Sequence, residues 1–152
     1  MIGSSGGMLF APGRRTPVTA VLRDAGFTRP PAQEAQGATD SAVQVIPLSA
    51  EVLAEHDADT VLVPQGAYYD AAAVRAVPTF AQLPAVVQGR SLQVDGDMWF
   101  GNFAFAVDWI VTDLQALVAG AGQAGMGTPD QALARWAAFD ETVAPADDGP
   151  AG

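Results

Sequence analysis

At 152 residues, with 49% apolar and 16% charged side chains, the chain is long enough to fold as one domain around a sizeable core. A formal net charge of −10 argues against nucleic acid and anionic membrane surfaces as partners, because both require basic surface. The lack of cysteine excludes disulfides, thiolate catalysis and zinc–thiolate sites, and no stretch reaches the roughly 18 uninterrupted apolar residues of a membrane helix.

The opening MIGSSGGMLF has no basic segment followed by a long apolar run, so it does not read as a signal peptide. Gly3–Gly7 fits a flexible start, a cloning scar or the approach to a strand. Met8–Phe10 is predicted as a first strand, followed by a loop carrying Arg14 and Arg15. Thr16 then caps a helix with Pro17 at its first position, and Gly26 ends it. Thr28–Asp40 lacks periodicity and reads as a surface loop.

Val43–Leu48 is a second apolar run, with Pro47 confining it to an edge or a strand end. Ser49 caps a short helix with Glu51 in its first turn. Thr60–Val63 is the near-continuous apolar run of a strand buried on both faces. A loop with Tyr68 and Tyr69 leaves it, and Asp70 starts a short helix over Ala71–Val77. Leu83–Val87 closes on Gly89, Leu92 and Val94 alternate along a fourth strand, and Trp99 and Phe100 follow that strand's end. A long helix from Asn102 to about Val118 presents Phe103, Val107, Ile110, Leu114 and Leu117 as a core-facing stripe, with Asp108 and Asp113 pointing elsewhere. Thr128–Gln131 has the pattern of a capping box before a final helix containing Trp136.

The alternation predicts an α/β fold: a small three-layer α/β/α sandwich with a mostly parallel sheet, its strands too far apart for hairpins. The expected organisation is an α/β lobe over residues 1–119, a Gly/Ala linker over 120–127, a C-terminal helix over 128–143 and a disordered tail over 144–152.

Enzymatic signatures are missing: there is no GxGxxG, phosphate-binding loop, GxSxG elbow or HExxH. His56, the sole histidine, has Glu51, Glu55, Asp57 and Asp59 nearby, but a solvated surface histidine explains it better than a metal cluster. In a parallel sheet Arg14, Arg15, Tyr68, Tyr69, Trp99 and Phe100 converge on one edge. Cations and flat rings there suit an anionic, partly aromatic ligand. The plainer reading is that the arginines are solvated and the rings cover the sheet end. The chemistry alone favours a binding module over an enzyme.

The ordered segments LSAEVL (48–53), DADTVLV (57–63) and LPAVVQGR (83–90), with Asp24–Phe27 at a helix end, resemble the substrate-binding proteins of iron–siderophore, haem and cobalamin ABC importers. The resemblance extends from about Gly7 to Phe139 and matches only the C-terminal lobe of a two-lobed protein. It implies capture of a ferric siderophore, or less readily haem or cobalamin, in a cleft shared with an N-terminal lobe. It further implies docking of Glu51 to an arginine pocket on the permease dimer, and an extracytoplasmic location for the full-length protein. Because the metal arrives already chelated, no cofactor and no protein ligand to iron are implied. Tyr68, Tyr69, Trp99 and Phe100 fall where the family's aromatics line the cleft, and Arg14 and Arg15 in a cleft-facing loop. Two other readings remain: a small flavodoxin-like enzyme or nucleotide-binding domain, and a stand-alone interaction module using Glu51.

Overall fold

The computed structural model describes residues 1–36 and 44–144. Its elements in chain order are β1 (Gly3–Ser5), β2 (Met8–Pro12), α1 (Pro17–Asp24), α2 (Pro31–Gln36), β3 (Val45–Leu48), β4 (Val61–Gln65), α3 (Ala71–Arg75), α4 (Pro84–Val87), β5 (Ser91–Asp95), α5 (Gly96–Trp99), α6 (Ala104–Val118) and α7 (Ala132–Val143). Short 3₁₀ helices lie at Ala50–His56, Phe80–Gln82, Gly122–Gly125 and Pro129–Gln131.

Local chemistry set several boundaries where they were expected. The Thr19 N–H donates to Thr16 Oγ1 at 3.4 Å, and Pro17 opens α1. Asp70 Oδ1 accepts from the Ala73 N–H at 3.0 Å and caps α3. At 3.2 Å the Thr128 N–H donates to Gln131 Oε1, which is the reach-back half of a capping box. Gly89, with φ of 72°, turns the chain from α4 into β5.

The mixed α/β architecture holds, but the sheet is not mostly parallel. β1, β2 and β3 form an antiparallel sheet in that order, and only β4 and β5 pair in parallel, Val61 opposite Ser91 through Gln65 opposite Asp95. The expectation of no hairpins fails at the start of the chain. Gly6 and Gly7 have φ of 56° and 81°, the backbone that a two-residue hairpin needs, and they join β1 to β2. The Gly–Gly pair between SS and MLF was the visible signal.

The two sheets touch through the Ile2 N–H, which donates to the Leu62 carbonyl at 3.0 Å. The next rung of a parallel ladder would need an N–H at residue 64, and Pro64 has none. Ile2 faces Leu62 and Gly3 lies against the Pro64 ring, so β1 lies beside β4 and runs the same way, while β2 runs back.

β4 divides two apolar clusters. Val61 and Val63 pack with Ile2, Ile46, Leu53, Val74, Phe80 and Leu83; Leu62 packs with Val18, Leu92, Val94, Trp99, Trp109 and Ile110. Alternation along a strand sends successive side chains to opposite faces, and both faces are apolar here.

Three further expectations are corrected, and two fall outside the described residues. Thr28–Asp40 contains a helix, α2, and Gln33 on it is 1% exposed. Residues 37–43, including Val43 at the expected strand start, lie outside the described residues, as does the expected tail from 145 on. The 120–127 segment is packed rather than flexible: Met126 is buried, and Gln123 exchanges hydrogen bonds with the Gln93 backbone at 2.7 and 2.9 Å. Along α6 the buried stripe is Phe105, Trp109, Ile110, Asp113 and Leu114, whereas Phe103 and Val107 are exposed. Apolar residues surround this helix, so its hydrophobic pattern sets the phase of burial weakly.

Candidate functional site

The expected convergence on one edge breaks into two groups. Because β2 runs against β1, its exit places Arg14 and Arg15 at the end of the sheets where β4 and β5 begin. Tyr68, Tyr69 and Phe100 lie at the other end, beyond the last residues of β4 and β5. Arg14 Nε pairs with Glu34 at 3.2 Å, and both side chains are about half exposed; Arg15 is exposed. Solvent-facing pairs of this kind contribute roughly 0–1 kcal/mol.

Trp99 is also placed differently from the expectation. It is fully buried, and its Nε1–H donates to Asp113 Oδ2 at 2.8 Å. The Asp95 carboxylate explains the position. It accepts from the Asp97 and Met98 N–H groups at 3.0 and 3.1 Å and starts α5, a single turn that rotates Trp99 under the sheet. Asp113 is itself 0% exposed and accepts two more bonds at 2.8 Å, from the Gly127 N–H and from Arg135 Nη1. Arg135 in turn lies over the Trp109 ring, 4.3 Å from its centroid. The tryptophan expected on a cleft wall is therefore one spoke of a buried polar hub.

What remains at the C-terminal edge is an aromatic platform. Tyr69 stacks on Phe100 with centroids 4.7 Å apart and planes 22° apart, and the Phe10 ring meets Phe100 edge-on at 5.8 Å. Gly96 lies directly beneath the Tyr69 ring, where a Cβ would collide with Cδ2. At Gly66 a Cβ would meet the Asp97 carboxylate, whose oxygens accept the Ala67 N–H at 3.0 and 3.2 Å. These two glycines let the loops after β4 and β5 close on each other. Tyr68, 77% exposed, extends from the same loop, and Phe103 and Met8 are about half exposed at the same edge. Burial, with Asp97 adding to it, pushes the Tyr69 phenol above its ordinary range. Burial also pushes the Asp95 carboxyl up, against the pull of the Met98 and Asp97 N–H groups.

β3 runs antiparallel to β2 and so leads its chain toward this edge as well. Glu51 follows it in the first turn of the Ala50–His56 3₁₀ helix and is fully exposed. Ser49 does not cap a backbone N–H there; its hydroxyl bonds the Glu51 carboxyl instead and holds it below the usual carboxylate range. His56, at the far end of the same helix, is 1% exposed rather than solvated, and burial lowers its pKa against an opposing effect of Glu55. No cluster of three or more His, Asp or Glu suited to a metal occurs among the described residues. No helix among them is long and apolar enough to cross a membrane.

No protein-family model matches the chain, and no curated protein matches it.

Proposed function

We propose that the chain is the C-terminal lobe of a substrate-binding protein of an ABC importer for ferric siderophores, with a three-layer α/β/α arrangement. The observation that carries this reading is the Tyr69–Phe100 stack with exposed Tyr68 beside it, on the edge toward which β3 leads Glu51. Flat rings offer stacking and apolar contact to a chelate whose metal is already wrapped in ligand atoms, so no metal-binding side chains are needed. The order of the LSAEVL, DADTVLV and LPAVVQGR segments supports the same assignment. The division of β4 between two apolar clusters supports the layered arrangement.

In this proposal Tyr68, Tyr69 and Phe100 face the ligand and Glu51 docks to arginines of the permease dimer. An exposed carboxylate held ionised by a neighbouring hydroxyl suits a charge-steered interface. Trp99 supports the platform from below, and Arg14 and Arg15 take no part. The protein acts outside the cytoplasm, paired with an N-terminal lobe that completes the cleft; it is not an enzyme.

The test is a titration of the ¹⁵N-labelled chain with gallium(III) chelates of hydroxamate, catecholate and citrate type, which avoid the paramagnetism of iron. Saturable shifts confined to residues 66–70 and 96–103 are expected from at least one class. If no such chelate, and neither haem nor cobalamin, moves those signals, the ligand assignment fails. Charge reversal at Glu51 that leaves docking to a permease undiminished would remove the docking role.

A further inference from the structure

A cavity of about 650 Å³ opens at the other end of the sheets, where β4 and β5 begin. Arg29 and Gln33 line it, together with Leu22, Phe27, Leu62 and Leu117. The Arg29 side chain is 10% exposed, and Gln33 is 1% exposed. The guanidinium donates from Nη2 to the Pro12 carbonyl, and from Nε and Nη2 to Gln33 Oε1 at 3.3 and 3.2 Å. Those bonds fix the amide: turning it over would set its NH₂ against the guanidinium. Gln33 Nε2 is therefore left as a donor, and among the described residues neither it nor Arg29 Nη1 has a hydrogen-bond partner.

Glu34 Oε1 forms an ion pair with Nη1 at 3.7 Å, which neutralises part of its charge but is too long for a hydrogen bond. Asp57 and Asp59 also line the cavity, but the Asp57 carboxylate accepts the Ala85 N–H at 3.3 Å and Asp59 is exposed. Two buried donors, one of them cationic, without an acceptor are costly unless an occupant supplies oxygens. The leucines and Phe27 that also line the cavity suit an apolar body behind those oxygens, and the volume is that of a small-molecule site.

We propose that this cavity binds a small carboxylic acid with an apolar body, its carboxylate accepting from Arg29 Nη1 and Gln33 Nε2 and its chain lying along Leu22, Phe27 and Leu62. The site is separate from the aromatic platform and does not depend on the siderophore reading.

Decanoate is the probe, titrated below its micellar range into the full ¹⁵N-labelled chain, with decanol and inorganic phosphate as controls. Decanoate binds saturably, at least tenfold tighter than either control, and shifts the Gln33 side-chain amide signals. Gln33→Glu keeps an acceptor for Arg29 but sets a carboxylate against the ligand, and it weakens binding at least tenfold. Arg29→Gln does the same wherever it folds, and Arg15→Gln, at an exposed position, leaves affinity unchanged. The proposal is overturned by absence of saturable decanoate binding, by decanol or phosphate binding equally well, or by an unmoved Gln33 amide. Wild-type affinity in Gln33→Glu overturns it too.

Discussion

Two buried polar clusters of this chain each include an arginine and differ in how completely they are paired. At Asp113 each carboxylate oxygen is engaged: Trp99 Nε1, the Gly127 N–H and Arg135 Nη1 all donate at 2.8 Å. At Arg29 the guanidinium finds a carbonyl and an amide oxygen, yet Nη1 and the adjoining Gln33 Nε2 remain without hydrogen-bond partners among the described residues. The first cluster joins three segments distant in sequence and holds α7 and the preceding turn to the core. The second borders a cavity. A satisfied buried network is a structural tie, whereas an unsatisfied one is where a ligand has something to gain.

The sharpest way to break this comparison is Asp113→Ala. It strips the partner from a buried indole N–H and a largely buried guanidinium, and should cost about 3–5 kcal/mol, the range for removing one member of a buried pair. Urea denaturation followed by tryptophan emission measures it, and a loss below ~1 kcal/mol would mean the hub is not a tie.

His56 extends the incomplete side. Both of its ring nitrogens are buried without partners among the described residues, and its pKa is lowered by burial. The unfolded chain therefore binds a proton near pH 6.5 that the folded chain refuses. Stability is unaffected by this group above pH 6.5. It falls as pH drops below that value, by up to about 1.4 kcal/mol per unit until the folded histidine protonates. Comparing denaturation midpoints from pH 7 to 5 in wild type and His56→Gln isolates the slope, which the variant should lack.

At the exposed edge the expected effect is smaller. A double-mutant cycle on Tyr69→Ala and Phe100→Ala should give a coupling of about 0.5–1.5 kcal/mol, as for stacked rings. Zero coupling would mean that the two rings do not stack in solution.

The smallest effect belongs to the cluster beside the cavity. Replacing Arg29 by Met together with Gln33 by Leu removes the unpaired donors at similar volume, and stability should change by less than about 1 kcal/mol or rise. A loss as large as that of Asp113→Ala would show that the two clusters serve the same structural purpose.

Much of the local structure was legible from the residues. The Thr16–Pro17 start, the Asp70 cap, the Gly89 turn and the Thr128–Gln131 reach-back all depend on atoms within a few positions of one another. β4 was readable because a strand buried on both faces leaves a continuous apolar signature, and β5 because Leu92 and Val94 alternate with polar residues. Of the candidate site, the loops after β4 and β5 did meet, since both strands run in parallel and their ends share an edge.

What the chain order did not reveal depends on pairing across distance. The Gly6–Gly7 turn sends β2 back along β1, and that reversal alone separates Arg14 and Arg15 from Tyr68 and Tyr69. Trp99 and Phe100 are neighbours in sequence, but one turn of helix buries the first and leaves the second in the platform. Asp113, polar and expected to face outward, is fully buried because its partners arrive from α5, the 127 turn and α7.

The amino-acid sequence by itself therefore determined where α1, α3 and the last helix begin and that β4 is buried on both faces, because capping bonds and apolar runs act over a few residues. Tertiary structure alone decided strand direction, which aromatic reaches the surface, and which arginine ends with donors unspent. Those outcomes depend on groups far apart in sequence competing for the same hydrogen-bond acceptors and the same space in the core.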